Sequence, residues 1–179
     1  MTETVSHSKA QQQLQLLQKM RSCPQVRMAE DTLPIDMPQS IYFVPTLSDS
    51  LVTHAHPWHL AATEMLLDYS YQGLILVPEN RKPVTGRNGY RINWHKEALS
   101  KATQVVFNFY RHQPEHEAQQ LYFQLGMATK LSNLVATKQI LICAPDGRIT
   151  CPFIRFSLAT ENIPIYSSLS SLLRAAART

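Results

Sequence analysis

The sequence predicts an α/β fold of three layers, a doubly wound parallel sheet of five strands with helices on both faces. Three observations carry this. Short apolar, β-prone runs recur along the chain, at Ile41-Tyr-Phe-Val44, Leu74-Ile-Leu-Val77, Gln104 to Phe109 and Gln139 to Cys143. The runs are continuous rather than alternating, as expected of strands buried on both faces. Between them lie segments whose apolar residues recur at three and four positions, the helical period. Strands alternating with helices argue for a parallel sheet covered on each side, of flavodoxin- or Rossmann-like build.

Taken in order, residues 1–8 are polar. Ala10 to Met20 carries Leu14, Leu16, Leu17 and Met20 in a Gln-rich background, a short amphipathic helix. Such a helix packs either on its own domain or on a partner. Pro24, Pro34 and Pro38 then break the chain into an extended arm up to Gln39. The division expected is residues 1–39 as helix and arm, and 40–179 as the α/β domain.

Within that domain Ile41–Val44 is the first strand, stopped by Pro45. Pro57 to Tyr69 is a helix, with Pro57 suited to its first turn. Leu74–Val77 is the second strand. Pro78 to Arg91 reads as a long basic loop holding Arg81, Lys82, Arg87 and Arg91, and loops of that length are commonly functional. Asn93 is placed to cap a helix over Trp94–Lys101. Gln104–Phe109 is the third strand, and Arg111 to Glu117 a polar loop. Ala118–Ser132 is a helix with Leu121, Leu125, Ala128 and Leu131 on one face. Gln139–Cys143 is the fourth strand, turned by Pro145-Asp-Gly147, and Ile163–Tyr166 the fifth. Ser167–Ala177 forms a terminal helix. The segment Cys151–Thr160 reads equally as strand, loop or lid.

The bulk properties narrow the function. The 179 residues suffice for one domain with a sizeable core. A hydrophobic fraction of 44% with 17% charged residues fits an ordinary globular chain. The net charge of +4 is a mild excess without a basic block. That argues against a nucleic-acid partner while leaving room for attraction to phosphate. Three cysteines without a Cys-x-x-Cys argue against a disulfide framework or a cysteine zinc site. No apolar run approaches the roughly 18 residues of a membrane span, and no secretory leader is evident in the Gln-rich start. A cytoplasmic setting is expected.

Motifs exclude further classes. There is no Gly-x-Gly-x-x-Gly, Walker loop or Gly-x-Ser-x-Gly elbow. His54-Ala-His56-Pro-Trp-His59 crowds three imidazoles without a usual ligand spacing, so neither metal nor cofactor is expected. In doubly wound sheets ligands bind beyond the carboxyl ends of the strands. Trp94 and His95 are expected beneath that edge, Glu79, Glu115 and Glu117 in the segments after the strands, and Gln124 in the first half of a helix, where it can hydrogen-bond a ligand or a backbone group. An imidazole there can act as acid or base near neutral pH. The carboxylates can reach a ligand, or equally remain solvated charges.

Residues 41–145 resemble the nucleoside 2-deoxyribosyltransferase family. The likeness lies in the order Gly73-Leu-Ile-Leu-Val-Pro-Glu79, Asn93-Trp-His-Lys-Glu-Ala-Leu99, Phe107-Asn-Phe-Tyr110 and Phe123-Gln-Leu-Gly126. Pro57-Trp58 matches a Pro-Trp element near the family's first helix. Members cleave the N-glycosidic bond of a deoxynucleoside. A glutamate attacks the anomeric carbon, and its charge steadies an oxocarbenium-like transition state. The resemblance puts Gln124 at the position of that glutamate and His95 at that of a second acid.

A neutral amide is a poor nucleophile, so the resemblance implies binding of a nucleoside or nucleotide, or of a protein partner, with the usual chemistry lost or altered. The site implied is His95, Gln124 and Glu117 for chemistry, with Pro45, Trp58, Glu79, Arg81, Arg91, Trp94 and Tyr110 for the ligand. The alternative is an active transferase or hydrolase on nucleosides or their monophosphates, using His95 and a loop glutamate. The family's habit of completing its sites from a neighbour implies a homo-oligomer. The N-terminal helix offers a surface for a further protein.

Overall fold

The structure is a computed structural model that describes residues 23–45, 57–78, 89–110, 115–134, 137–145, 149 and 151–178. The expected N-terminal helix, His54, His56, Glu79 and Arg81 lie outside the described residues. So do the side chain of Arg91 and the centre of the basic loop.

Six strands form one sheet: β1 (Val26–Met28), β2 (Ser40–Phe43), β3 (Leu74–Val77), β4 (Gln104–Asn108), β5 (Gln139–Cys143) and β6 (Ile165–Tyr166). Their spatial order is β1-β3-β2-β4-β5-β6, and every pairing is parallel. The five expected strands are all present. The sixth, β1, lies in the segment read as an extended arm. Its three residues follow Pro24 and include Arg27, so no apolar run marks it. Val26 and Met28 are nevertheless fully buried, and the strand pairs Val26 with Ile75 and Met28 with Val77. Arg27 stays at the edge, where its guanidinium donates to Pro24 O at 2.8 Å.

Without β1, the order is the flavodoxin-like 2-1-3-4-5, in which the chain reverses direction across the sheet beside its first strand. Here β2 has β3 on one side and β4 on the other, with Ile41 opposite both Ile75 and Gln104. The helices are α1 (Pro57–Asp68), α2 (Gly89–Lys101), α3 (Glu115–Leu134), α4 (Pro152–Thr160) and α5 (Leu169–Ala176). The crossovers put them on opposite faces, and two buried clusters record the split. Tyr42, Val44, Leu76, Val105, Phe107 and Ile142 pack under α2, α3 and α4. Ile41, Phe43, Ile75, Val106 and Leu141 pack under α1 and α5. Neighbouring strand residues thus serve opposite layers, as the period of two requires.

Two helices begin earlier than the sequence implies. Helix α2 starts at Gly89, so Asn93 is an exposed second-turn residue and not a cap. Helix α3 starts at Glu115, so Glu115 and Glu117 sit in its first turn instead of a loop. Carboxylates there complement the positive end of the helix dipole. Cys151–Thr160, open from sequence, is the N-cap and helix of α4.

The amino edge of the sheet is closed by paired polar groups. Ser40 and Thr103 exchange three hydrogen bonds of 2.9–3.1 Å. Gln104 bonds Gln139, the Ala176 carbonyl and the Tyr71 hydroxyl. The buried Lys138 donates to Leu99 O at 2.7 Å and also to Ala102 O, capping the carboxyl end of α2. Burial pushes its ammonium down to about 8.

Packing generates two expectations and charge a third. Gly73→Ala would place a Cβ 2.6 Å from Gln39 O, the carbonyl that already accepts from Leu74 N. That backbone contact cannot rotate away, and a loss of ~2–3 kcal/mol is expected on chemical unfolding. Gly126 lies inside α3, and an alanine Cβ at this position would meet nothing within 4 Å. Gly126→Ala should therefore gain ~0.5–1 kcal/mol in the same assay. For Lys138, the folded chain gives up a proton near pH 8 that the unfolded chain keeps to about 10.4. Stability should then rise with pH, by about 0.7 kcal/mol between pH 7.5 and 8.5. Cys143, whose thiol burial raises to about 11, works in the opposite sense as the unfolded thiol ionises near pH 8.5, and trims that rise toward the top of the window. Lys138→Met should lower stability overall and remove the rise, as read from urea midpoints at the two pH values.

Candidate functional site

Because all strands run parallel, the segments after Phe43, Val77, Asn108 and Cys143 leave from one edge. In sheets of this order the ligand crevice is expected where the strand order reverses, here between β2 and β4. Helix α2 supplies Trp94 and His95, α3 supplies Glu117 and Gln124, and the strand ends supply Pro45 and Tyr110.

Strand β2 anchors both helices. The Tyr42 hydroxyl shares a 2.9 Å hydrogen bond with His95 Nδ1. When the tyrosine donates, Nδ1 is the acceptor and the imidazole proton sits on Nε2. Three residues on, Pro45 O accepts from Gln124 Nε2 at 3.1 Å. His95 and Gln124 are thus fixed to one strand end from two different helices. Tyr42 is buried under the ring of Trp94, whose centroid lies 6.1 Å away in an edge-to-face arrangement. Sequence reasoning did not single out Tyr42. Its hydroxyl, hidden in the apolar run Ile41–Val44, is the signal that could have marked it.

Trp94 is itself core. Its indole N–H donates to Asp31 O at 2.9 Å, and the Asp31 carboxylate accepts from Met28 N at 2.8 Å. This pair ties the turn after β1 to α2 beneath the crevice. Trp58 belongs to the opposite core layer. It meets Phe43 edge-to-face at 5.5 Å and His59 at 4.0 Å, and His59 stacks on Phe43. Both tryptophans are explained by packing at the level of the crevice. His59 is fully buried, and among the described residues no cluster of His, Cys, Asp or Glu is suited to a metal ion.

The carboxylates separate into two kinds. Glu115 is exposed and meets only Gln119 on its own helix, at 3.5 Å. Glu117 is buried, and the Tyr110 hydroxyl from the end of β4 donates to its Oε2. Seven residues separate Glu117 from Gln124, so both lie on the same stripe of α3, ~10 Å apart along its axis. The polar set brought together therefore comprises His95 with Tyr42, Gln124 with Pro45, and Glu117 with Tyr110. A cavity of about 380 Å³ also lies at the far, amino edge, lined in part by Lys138, Gln139, Glu161, Ile163 and Tyr166.

Chemically, the position of Gln124 requires a donor. A carboxylate there would face the lone pairs of Pro45 O and lose the hydrogen bond. Gln124→Glu should cost ~1–3 kcal/mol near pH 7. Repulsion raises the introduced carboxyl's folded pKa above its unfolded ~4.3. The folded state then holds the proton longer, so the deficit shrinks as pH falls. Urea unfolding of variant and parent at pH 5 and 7.5 checks both the loss and its sign. No protein-family model matches this chain, and no curated protein is significantly similar to it.

Proposed function

We propose that this protein binds a nucleoside or nucleotide at the carboxyl edge of its sheet, on a nucleoside 2-deoxyribosyltransferase-like scaffold whose glycosyl-transfer chemistry is lost or altered. The observation that carries the reading is the Gln124–Pro45 hydrogen bond. An amide at this position cannot attack an anomeric carbon, nor can it supply the negative charge that steadies an oxocarbenium-like transition state. The bond supports a settled replacement, since the neighbouring carbonyl favours an amide over an acid.

His95, positioned by Tyr42, is the proposed acid or base toward the ligand. Arg81 and Arg91 are the proposed phosphate contacts if the ligand is a monophosphate, because guanidinium binds phosphate bidentately. Self-association is part of the same proposal. It is supported by large apolar side chains left exposed on α3 and α4, namely Phe123, Met127, Phe153 and Phe156. A cytoplasmic location also belongs to it, and no described helix is long and apolar enough to cross a membrane.

A second reading is favoured by Glu117. A buried carboxylate on the first turn of α3 is better placed for nucleophilic work than a loop residue, since rigid elements hold reacting groups more closely. In that case the protein is an N-glycosidic transferase or hydrolase with Glu117 attacking and His95 as acid.

One experiment separates the two. The protein is titrated calorimetrically with 2′-deoxynucleosides and their 5′-monophosphates, and the same mixtures are assayed for free base. The binding reading expects heat of binding without base release. Base release that disappears in Glu117→Gln would instead establish the enzyme. Absence of both binding and release at millimolar ligand would overturn both readings and leave a protein partner as the occupant of this edge.

A further inference from the structure

The cavity of about 380 Å³ at the amino edge has a buried charge in its wall. Lys138, the residue before β5, lines it and is only 7% exposed. An ammonium carries three N–H donors. Two of them go to Leu99 O and Ala102 O at the end of α2. Among the described residues nothing accepts the third, and no carboxylate forms an ion pair with it.

Burial alone pushes this ammonium down to about 8, and no neighbouring acid opposes the shift. Buried charges are as a rule paired. The negative end of the α2 dipole favours a cation, but by less than the desolvation of an ammonium costs. A neutral side-chain amide would cap the same two carbonyls without burying a charge. Capping therefore accounts for two of the donors and leaves the charge unexplained.

The rest of the wall indicates which counter-ion suits it. Ile163, Pro164 and Ala175 give the cavity apolar area. Asn162 closes α4 through its backbone N–H, which donates to Ala159 O, and its φ of 53° is left-handed. Its side chain is exposed on the cavity wall without a hydrogen bond among the described residues, so its amide is a second donor for an oxyanion. Glu161, the C-cap of α4, adds a carboxylate to the same wall. One anionic group is thus matched by Lys138, and a second would meet Glu161. The volume is that of a small-molecule site, and apolar walls with a few polar groups are usual in such sites.

We propose that this cavity is a second ligand site, which takes a small monocarboxylate with an apolar body: the carboxylate accepts the remaining N–H of Lys138, and the body lies against Ile163, Pro164 and Ala175. The site is at the opposite end of the strands from the proposed nucleoside edge and does not depend on that reading. A carboxylate here completes the ammonium's hydrogen bonds and supplies the counter-charge that the chain lacks.

The test is calorimetry of the full chain with isovalerate and benzoate, against succinate and inorganic phosphate, with thermal unfolding of the same samples. One site, a raised Tm with either monocarboxylate and weaker binding of succinate and phosphate are expected. Lys138→Met should weaken the monocarboxylate Kd roughly tenfold or more, the worth of a hydrogen bond to a charged group. Ala175→Leu fills the cavity with the ammonium in place and should weaken it by a similar factor. If Lys138→Met fails to fold, the Cε resonance of Lys138 in the parent protein decides together with Ala175→Leu. Its titration midpoint should rise above about 8 with isovalerate present, because an adjacent anion favours the charged amine. Failure of both monocarboxylates to bind at millimolar concentration overturns the proposal. So does an unchanged Kd in either variant, or a Lys138 resonance that the acid leaves unmoved. Equal affinity for succinate or phosphate overturns the assignment to a monocarboxylate.

Discussion

Parallel pairing of β2 with strands on both of its sides is the constraint from which the rest of the molecule follows. Residues 40–43 hydrogen-bond β3 on one flank and β4 on the other, and Val44 N extends the ladder to Val106 O at 3.0 Å. A chain that lays β3 to one side of β2 and then β4 to the other must cross once over each face. The crossings are α1 and α2, and they commit Phe43 and Tyr42 to opposite cores. The end of β2 is then touched from both α2 and α3. Tyr42 holds His95, and two residues beyond Phe43 the Pro45 carbonyl holds Gln124. The relative placement of those two side chains is set by backbone pairing and not by their own loops.

That arrangement explains why an amide, and not an acid, suits position 124. Pro45 has no backbone N–H, so the residue at the end of β2 offers α3 an acceptor and no donor. An amide complements it and a carboxylate does not. The backbone on one side and the side chain on the other are consistent with each other. A buried carboxylate, Glu117, lies two turns earlier on the same helix, where the Tyr110 hydroxyl and the helix amino terminus both favour it.

Much of the architecture was legible because central parallel strands are buried on both faces and so appear as unbroken apolar runs. Ile41–Val44, Leu74–Val77 and Val105–Phe107 could hardly be anything else. Strand β1 was not legible for the complementary reason. At the edge it pairs on one flank only, needs three residues, and tolerates Arg27 between two buried side chains. The early starts of α2 and α3 were hidden by Asn93 and by the polar run Arg111–Glu117, whose residue types suit a cap or a loop until tertiary context places them. Of the site, His95, Gln124 and Glu117 could be named from sequence. Pro45 and Tyr110 were named too, as ligand contacts, but that they pair with Gln124 and Glu117, and Tyr42 with His95, depends on strand register and helix placement. The tryptophans point the other way. Trp58 and Trp94 stand out in the sequence as aromatic ligand contacts, yet their rings are taken up by Phe43, His59 and Tyr42.

The two edges of the sheet can be weighed against each other by asking where polar groups find partners. At the amino edge Ser40 and Thr103 satisfy one another, Gln104 reaches three neighbours, and the costly burial of Lys138 is offset by two helix carbonyls. The cavity of about 380 Å³ on that side thus adjoins groups already engaged in holding α2, α5 and the strands together. At the carboxyl edge the tethers stop short of completeness, and a buried amide oxygen lies between two satisfied neighbours on α3. The paired polar groups of the amino edge thus serve the stability of the sheet. For a doubly wound sheet the carboxyl edge is the end at which a ligand is expected, and the proposed binding reading rests on that edge.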